Sequence, residues 1–241
     1  MKVGRSFYIR KHLPKTANNH DVMTAKKKAI IFDLDNTIYP VHAIGDKLFA
    51  DLFAIIEQSG AYQGEMAEIK DAIQRKPFQV VATKFRFGDT LIEEGLAILS
   101  QLEYDGVIEP FDDYQLTKRI DCLKFLVTTG FNRLQESKIN QLRIRDDFDA
   151  CYVVDPSACT HTKKDIFQKI AADHGLQPAD ILVIGDDIHS EIQAAKELGI
   201  DAVVYDHYDT LSAMDGYDII SHYGQLEPFL RGNSDGLHAK Q

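Results

Sequence analysis

Five short runs, KAIIF (28–32), LKFLV (123–127), ACYVV (150–154), DILVI (180–184) and DAVVY (201–205), are nearly continuously apolar and rich in Val and Ile. They lack the polar alternation of a half-exposed strand, and each predicts a strand buried on both faces. The segments between them carry helical period instead. KKDIFQKIAADHG places Ile166, Phe167, Ile170 and Ala171 on one face and stops at Gly175, and SEIQAAKELG stops at Gly199. Buried strands alternating with helices specify a parallel sheet covered on both sides. The fold class is α/β, with a Rossmann-like parallel sheet core covered by helices.

That alternation fails between Pro40 and about Lys118, where helical period dominates. Ile44, Leu48, Leu52 and Ile55 form one apolar stripe, and Leu91, Leu96, Leu99 and Leu102 form another. Residues 42–118 are therefore expected to be a smaller helical cap domain, inserted into a core made of 24–41 and 119–229. A chain of 241 residues can hold both. The leader, 1–23, and the tail, 230–241, read as mobile ends, with Met23 an alternative start.

Composition removes several classes of function. No apolar run is long enough to span a bilayer, so no membrane role is expected. A formal net charge of −10 comes without a basic stripe beyond AKKKA (25–29), which argues against a nucleic acid polymer as partner. Three cysteines, Cys122, Cys151 and Cys159, offer neither an even framework nor a CxxC pair, and the first residues lack a secretory apolar stretch. A reducing cytoplasm fits. Nothing in the sequence specifies an oligomeric state.

In open α/β sheets ligands bind outside the carboxyl ends of the strands. The first run ends in IIFDLDNTIYP, the second in Thr128 and Thr129, and ILVIGDD ends in Gly185, Asp186 and Asp187. A lysine pair, Lys163 and Lys164, opens a helix after VVDPSACTHT. In a strand, Asp33 and Asp35 would point to the same face, where two carboxylates repel unless a cation or shared proton compensates. The competing reading is a turn, in which Asp35, Asn36 and Thr37 end the strand. Three runs stopping on polar groups at one edge favour a site.

FDLDNT, FLVTTG, the lysine pair at 163 and 164, and GDDIHSE resemble, in order and spacing, the four motifs of the haloacid dehalogenase superfamily. The resemblance covers residues 28–205 and implies a Mg²⁺-dependent phosphotransferase fold with a mobile cap between the first and second motifs. It implies that Asp33 is the nucleophile and Asp35 the general acid and base. Mg²⁺ would be held by Asp33, the backbone carbonyl of Asp35, and Asp186. Asp187 and Glu191 compete to be the second acid, Glu191 having the family spacing. Thr128 and the backbone around Thr129 and Gly130 would hold the phosphoryl oxygens, and Lys163 would neutralise them. Lys163 departs from the frequent lysine-proline pattern, which would put His161 in its place. A glycine-lysine variant selects Lys163 over Lys164. His189 reads as a loop residue.

The second aspartate also separates reactions, because an alkoxide leaving group needs an acid and a halide does not. The expected activity is hydrolysis of a small phosphomonoester through an aspartyl-phosphate, with a small phosphorylated metabolite as partner. A sugar phosphomutase uses the same pair of acids and is the nearest alternative. DNTIYP is similar to pyrimidine 5′-nucleotidase-like members, which makes a nucleoside monophosphate a second alternative. A catalytically silent binding module is disfavoured, because the set Asp33, Asp35, Thr128, Lys163 and Asp186 has no gap. In the insert, Lys84 and Arg86 of ATKFRFGDT are candidate contacts for an anionic substrate.

Overall fold

The computed structural model describes residues 26–211 and 216–231. Among these residues six strands form one parallel sheet: β1 (Ala29–Phe32), β2 (Leu123–Thr129), β3 (Ala150–Val154), β4 (Ile181–Gly185), β5 (Asp201–Tyr205) and β6 (Asp218–Ile220). Their order across the sheet is β3-β2-β1-β4-β5-β6. The five apolar runs are the first five strands. β6 carries too short a run to announce itself. β1 pairs in parallel with β2 on one side and β4 on the other, so the strand order reverses at β1. The crevice at that reversal is where the fold leaves room for a ligand.

The faces of β1 divide the interior. Ala29 and Ile31 point into a core shared with Phe125, Val127, Ile181 and Val183, covered by Phe167 and Ile170 of α7 (Lys163–His174) and by Ala194 and Ala195 of α8 (Glu191–Glu197). Gly175 ends α7 in the left-handed conformation its sequence predicts. Ile30 and Phe32 point into the opposite core, under Leu134, Ile139 and Leu142 of α6 (Asn132–Leu142). The leader lies outside the described residues. Of the tail, Leu230 and Arg231 belong to α9 (Glu227–Arg231), where Leu230 is buried and its carbonyl accepts from the amides of Lys26 and Lys27. The remaining tail residues are outside the described set.

Five helices lie between β1 and β2: α1 (His42–Leu48), α2 (Ala50–Ser59), α3 (Met66–Arg75), α4 (Phe78–Lys84) and α5 (Asp89–Gln101). The first apolar stripe is split at Phe49, the boundary between α1 and α2. Ile56 rather than Ile55 takes the buried position in α2. The apolar residues of these helices belong to the same continuous core as Ile30, Phe32 and Leu126. The chain returns to the sheet through a 3₁₀ helix, Asp112–Arg119. Its carboxyl end is held by the buried Lys124 of β2, whose Nζ donates to the carbonyls of Thr117 (3.2 Å) and Ile120 (3.1 Å). A cation suits that end of a helix, where carbonyls lack intrahelical partners.

Candidate active site

β1 stops at Phe32, so the strand alternation that was to align Asp33 with Asp35 does not reach them. Asp33 continues the ladder by one bond, its amide donating to the Ile184 carbonyl at 2.9 Å. Asp35 instead enters a tight turn that closes as a bridge to Tyr39. Asn36 is left-handed at φ 54°, and its Oδ1 accepts from the Val41 amide at 3.1 Å. The turn and the site coexist: the turn carries Asp35 into surroundings of its own, made by Tyr39, Gln135 and Lys138.

Asp33 is buried at 7% exposure. Lys163 Nζ donates to Asp33 Oδ1 at 2.6 Å and to Glu191 Oε2 at 2.7 Å. A capping box places that lysine: the Thr162 hydroxyl accepts from the Asp165 amide at 3.4 Å, and Asp165 accepts from the Thr162 amide at 2.7 Å. This fixes the first turn of α7 with Lys163 at its first position. Lys164 points to the surface and pairs with Glu197 at 2.7 Å.

Carboxylate oxygens of Asp33, Asp186 and Glu191 lie within 4.8 Å of one another. Burial is the main force pushing Asp33 up, to about 7. The Lys163 ammonium opposes it, and the negative charge of Glu191 adds to it. Burial, followed by the Asp33 and Glu191 charges, raises Asp186 well above the usual carboxylate range. Lys163 is stabilised as a cation: burial works against its charge, but Asp33 and Glu191 outweigh it. Three converging carboxylates, whose negative charges repel one another, fit a hard divalent cation with oxygen ligands. Of the two candidates for second acid, Glu191 joins this cluster. Asp187 accepts from Lys76 Nζ at 3.0 Å and from the His189 amide at 2.9 Å. Burial raises its carboxyl, and those bonds bring it below the ordinary value. His189 is exposed and only its backbone is engaged there.

Asp35 is held by three residues outside the motifs. Lys138 Nζ reaches both oxygens, at 2.9 and 3.0 Å. Gln135 Nε2 donates to Oδ2 at 3.0 Å, and the Tyr39 hydroxyl donates to Oδ1 at 2.5 Å. Burial opposes its charge, but the Lys138 ammonium and these hydrogen bonds outweigh it and keep the carboxyl below its ordinary value. Gln135 Nε2 also donates to Thr128 Oγ1 at 3.1 Å and to the Thr129 carbonyl at 2.9 Å. The buried Thr128 is thus one bond from the group that grips Asp35. Gly130 follows at φ 153°, and a Cβ there would lie 2.8 Å from Gln135 Nε2.

A cleft of about 420 Å³ reaches this edge, lined among others by Asn36, His42, Arg75, Phe111, Asp186 and Tyr208. Its walls therefore come from the inserted helices, from the loop after β5 and from the acidic cluster. Lys84 and Arg86 do not line it. Both are exposed, and the Lys84 ammonium sits 4.7 Å over the Phe85 ring. Arg75 and His42 are the basic residues of the insert that line the cleft.

A sequence model of the haloacid dehalogenase-like hydrolases matches residues 27–199. Human N-acylneuraminate-9-phosphatase is 22% identical over 205 residues, covering 75% of this chain and 83% of the relative. Among solved structures, the chain resembles a putative phosphoglycolate phosphatase from Lactobacillus delbrueckii subsp. bulgaricus (TM-score 0.62, 18% identity, 86% of this chain and 99% of the other). It also resembles the putative HAD-hydrolase YfnB from Bacillus subtilis, solved bound to magnesium (TM-score 0.59, 16% identity, 85% and 98%). At these identities the structural likeness speaks for the fold.

Proposed function

We propose that this chain, which belongs to the haloacid dehalogenase-like hydrolases, is a Mg²⁺-dependent phosphatase that cleaves small phosphomonoesters through Asp33. The observation that carries the proposal is the gathering of Asp33, Lys163, Asp186 and Glu191 at one sheet edge, with a separately held carboxylate, Asp35, two residues from the nucleophile. The curated human relative is a phosphatase by name, which supports the reaction class.

Asp33, Asp186 and Glu191 would hold the metal ion. When bound, Mg²⁺ supplies positive charge against the phosphoryl oxygens and the crowded carboxylates. Asp33 attacks phosphorus as the ester P–O bond breaks, giving an aspartyl-phosphate. Asp35 gives its proton to the departing oxygen and then takes one from the water that hydrolyses the intermediate. In the ligand-free protein Asp35 is held as the carboxylate. The negative charge of an arriving phosphate raises its affinity for the proton it must deliver. Thr128 holds a phosphoryl oxygen, and Lys163 shifts charge compensation from Asp33 towards the phosphate.

The inserted helices would serve as a lid, with the leaving group in the cleft beside Arg75 and His42. A unit charge pair at 4 Å costs about 4 kcal/mol at an effective dielectric of 20. The cations at this edge answer that repulsion when an anionic ester approaches an anionic nucleophile.

The test is hydrolysis of an aryl phosphate with Mg²⁺ and after chelation, followed by a panel of phosphorylated metabolites ranked by kcat/KM. Metal-dependent release of phosphate, lost in Asp33→Asn, is expected. Absence of turnover across the panel with Mg²⁺ present would reject the reading.

A further inference from the structure

The four motifs leave unexplained why a lysine and a glutamine lie in the apolar stripe of α6. Leu134, Gln135, Lys138, Ile139 and Leu142 are its buried residues, and Gln135 and Lys138 are each only 2% exposed. Ordering two long polar side chains there costs entropy and desolvation, so they must be repaid by specific bonds. Among the described residues Lys138 bonds to Asp35 alone, and it also passes 5.9 Å from the Tyr39 ring centre. Spaced three apart, Gln135 and Lys138 face the same side of the helix.

The orientation of the Gln135 amide is determined. Its Nε2 has three acceptors, Asp35 Oδ2, Thr128 Oγ1 and the Thr129 carbonyl, while Oε1 is buried without a partner among the described residues. Reversing the amide would set Oε1 against a carboxylate and a carbonyl, two acceptors with no proton to share. Two hydrogens serving three acceptors tie the carboxylate of the first motif to the hydroxyl of the second. Lys138 and Tyr39 fix that carboxylate from its other sides.

We propose that Lys138, Gln135 and Tyr39 are positioning residues that aim Asp35, and that Gln135 makes Asp35 and Thr128 a single unit relative to the phosphoryl group. The proposal rests on the acid–base role given to Asp35 above. None of the three bonds to Asp33; their contacts end on the carboxylate of Asp35 and, through Gln135, on Thr128 and the Thr129 carbonyl. Each acts through Asp35, so their removal should be felt most where the leaving oxygen needs a well-aimed proton. An activated aryl ester departs with little help, whereas an alkyl ester does not.

The experiment compares kcat/KM for p-nitrophenyl phosphate and for the best alkyl phosphate of the metabolite panel, in wild type, Lys138→Met, Lys138→Arg, Gln135→Leu and Asp35→Asn. In Lys138→Met and Gln135→Leu the alkyl ester is expected to lose at least about 100-fold and the aryl ester about tenfold or less. This is the same direction as in Asp35→Asn. Lys138→Arg should recover most of the alkyl loss. Equal losses on both esters, or no loss on either, would overturn the proposal.

A double-mutant cycle of thermal melts, with Lys138→Met and Asp35→Asn singly and together, separates this inference from the phosphatase reading. If wild type cleaves neither ester, the reading of the reaction fails and takes the catalytic role of the clamp with it. The cycle still judges the contact: melting shifts that simply add would show that Lys138 and Asp35 do not hold each other.

Discussion

Asp33 is buried beside Asp186 and Glu191, where Lys163 is the cation bonded directly to it, and this makes its ionisation a measurable strain on the protein. In the unfolded chain an aspartate ionises near 3.9, and in the folded one this group does so at about 7, chiefly because of burial. Between those values the folded state binds the proton and the unfolded state does not. The contribution of Asp33 to stability is therefore complete below about pH 4, declines as pH rises towards 7, and is lost above it. Asp33→Asn cannot ionise and escapes the decline. In chelator, the melting temperature of the variant minus that of wild type should grow from pH 4.5 to pH 7.5, and a flat difference would refute the assignment. The same substitution should lower turnover at least about 10³-fold, because it removes the attacking charge while keeping the shape.

At the level of elements, the end of β4 meets the start of α8 so closely that the first glutamate of the helix occupies the space a side chain on the strand would need. A Cβ on Gly185 would lie 2.1 Å from Glu191 Oε1. Gly185→Ala should push that carboxylate out of the cluster and raise the Mg²⁺ concentration for half-maximal activity by about tenfold or more. Titrating activity against Mg²⁺ decides it, and an unchanged midpoint would show that Glu191 does not serve the metal. How much of this was legible follows from the physics of each element. Buried strands write themselves as apolar runs, so β1 to β5 were readable, as were the acids that terminate them. Lys163 is selected over Lys164 by its resemblance to the glycine-lysine variant of the family motif, and the cap at Thr162, which fixes the start of its helix, came only with the structure. The turn at Asp35 hid inside what looked like strand continuation. Gln135 and Lys138 were missed because a polar residue in a helix is ordinarily at the surface. The available signal was their position within the stripe of Leu134, Ile139 and Leu142. Lys84 and Arg86 lie off the cleft that Arg75 lines, since sequence gives the helices of an insert but not which end of them meets the sheet.

Across the whole molecule, the inserted helices and the sheet touch at a charged contact as well as through their shared core. Lys76, just past α3, reaches Asp187 beside the acidic cluster. Both side chains are partly exposed, so the pair contributes at most about 1 kcal/mol to stability. Lys76→Ala should leave the melting temperature within about 3 °C of wild type. If the insert is a lid, the variant should also lower kcat/KM for the preferred metabolite more than for an aryl phosphate, by roughly tenfold in the ratio. Equal ratios would remove Lys76 from any role in closure. The central strand carries a different consequence, one for the order in which the protein comes into being. Among the described residues β1 is the first strand made, yet Ala29 must find Leu123 on one side and Ile181 on the other. Such distant pairings are slow to close. During synthesis the strand that leads to Asp33 has to wait, unpaired on one flank, until Ile181 has been made. Until then Asp33 has neither Asp186 nor Glu191 beside it, so the acidic cluster is completed only late in synthesis, and the inserted helices, which pack on one another, have time to form before the sheet closes beside them.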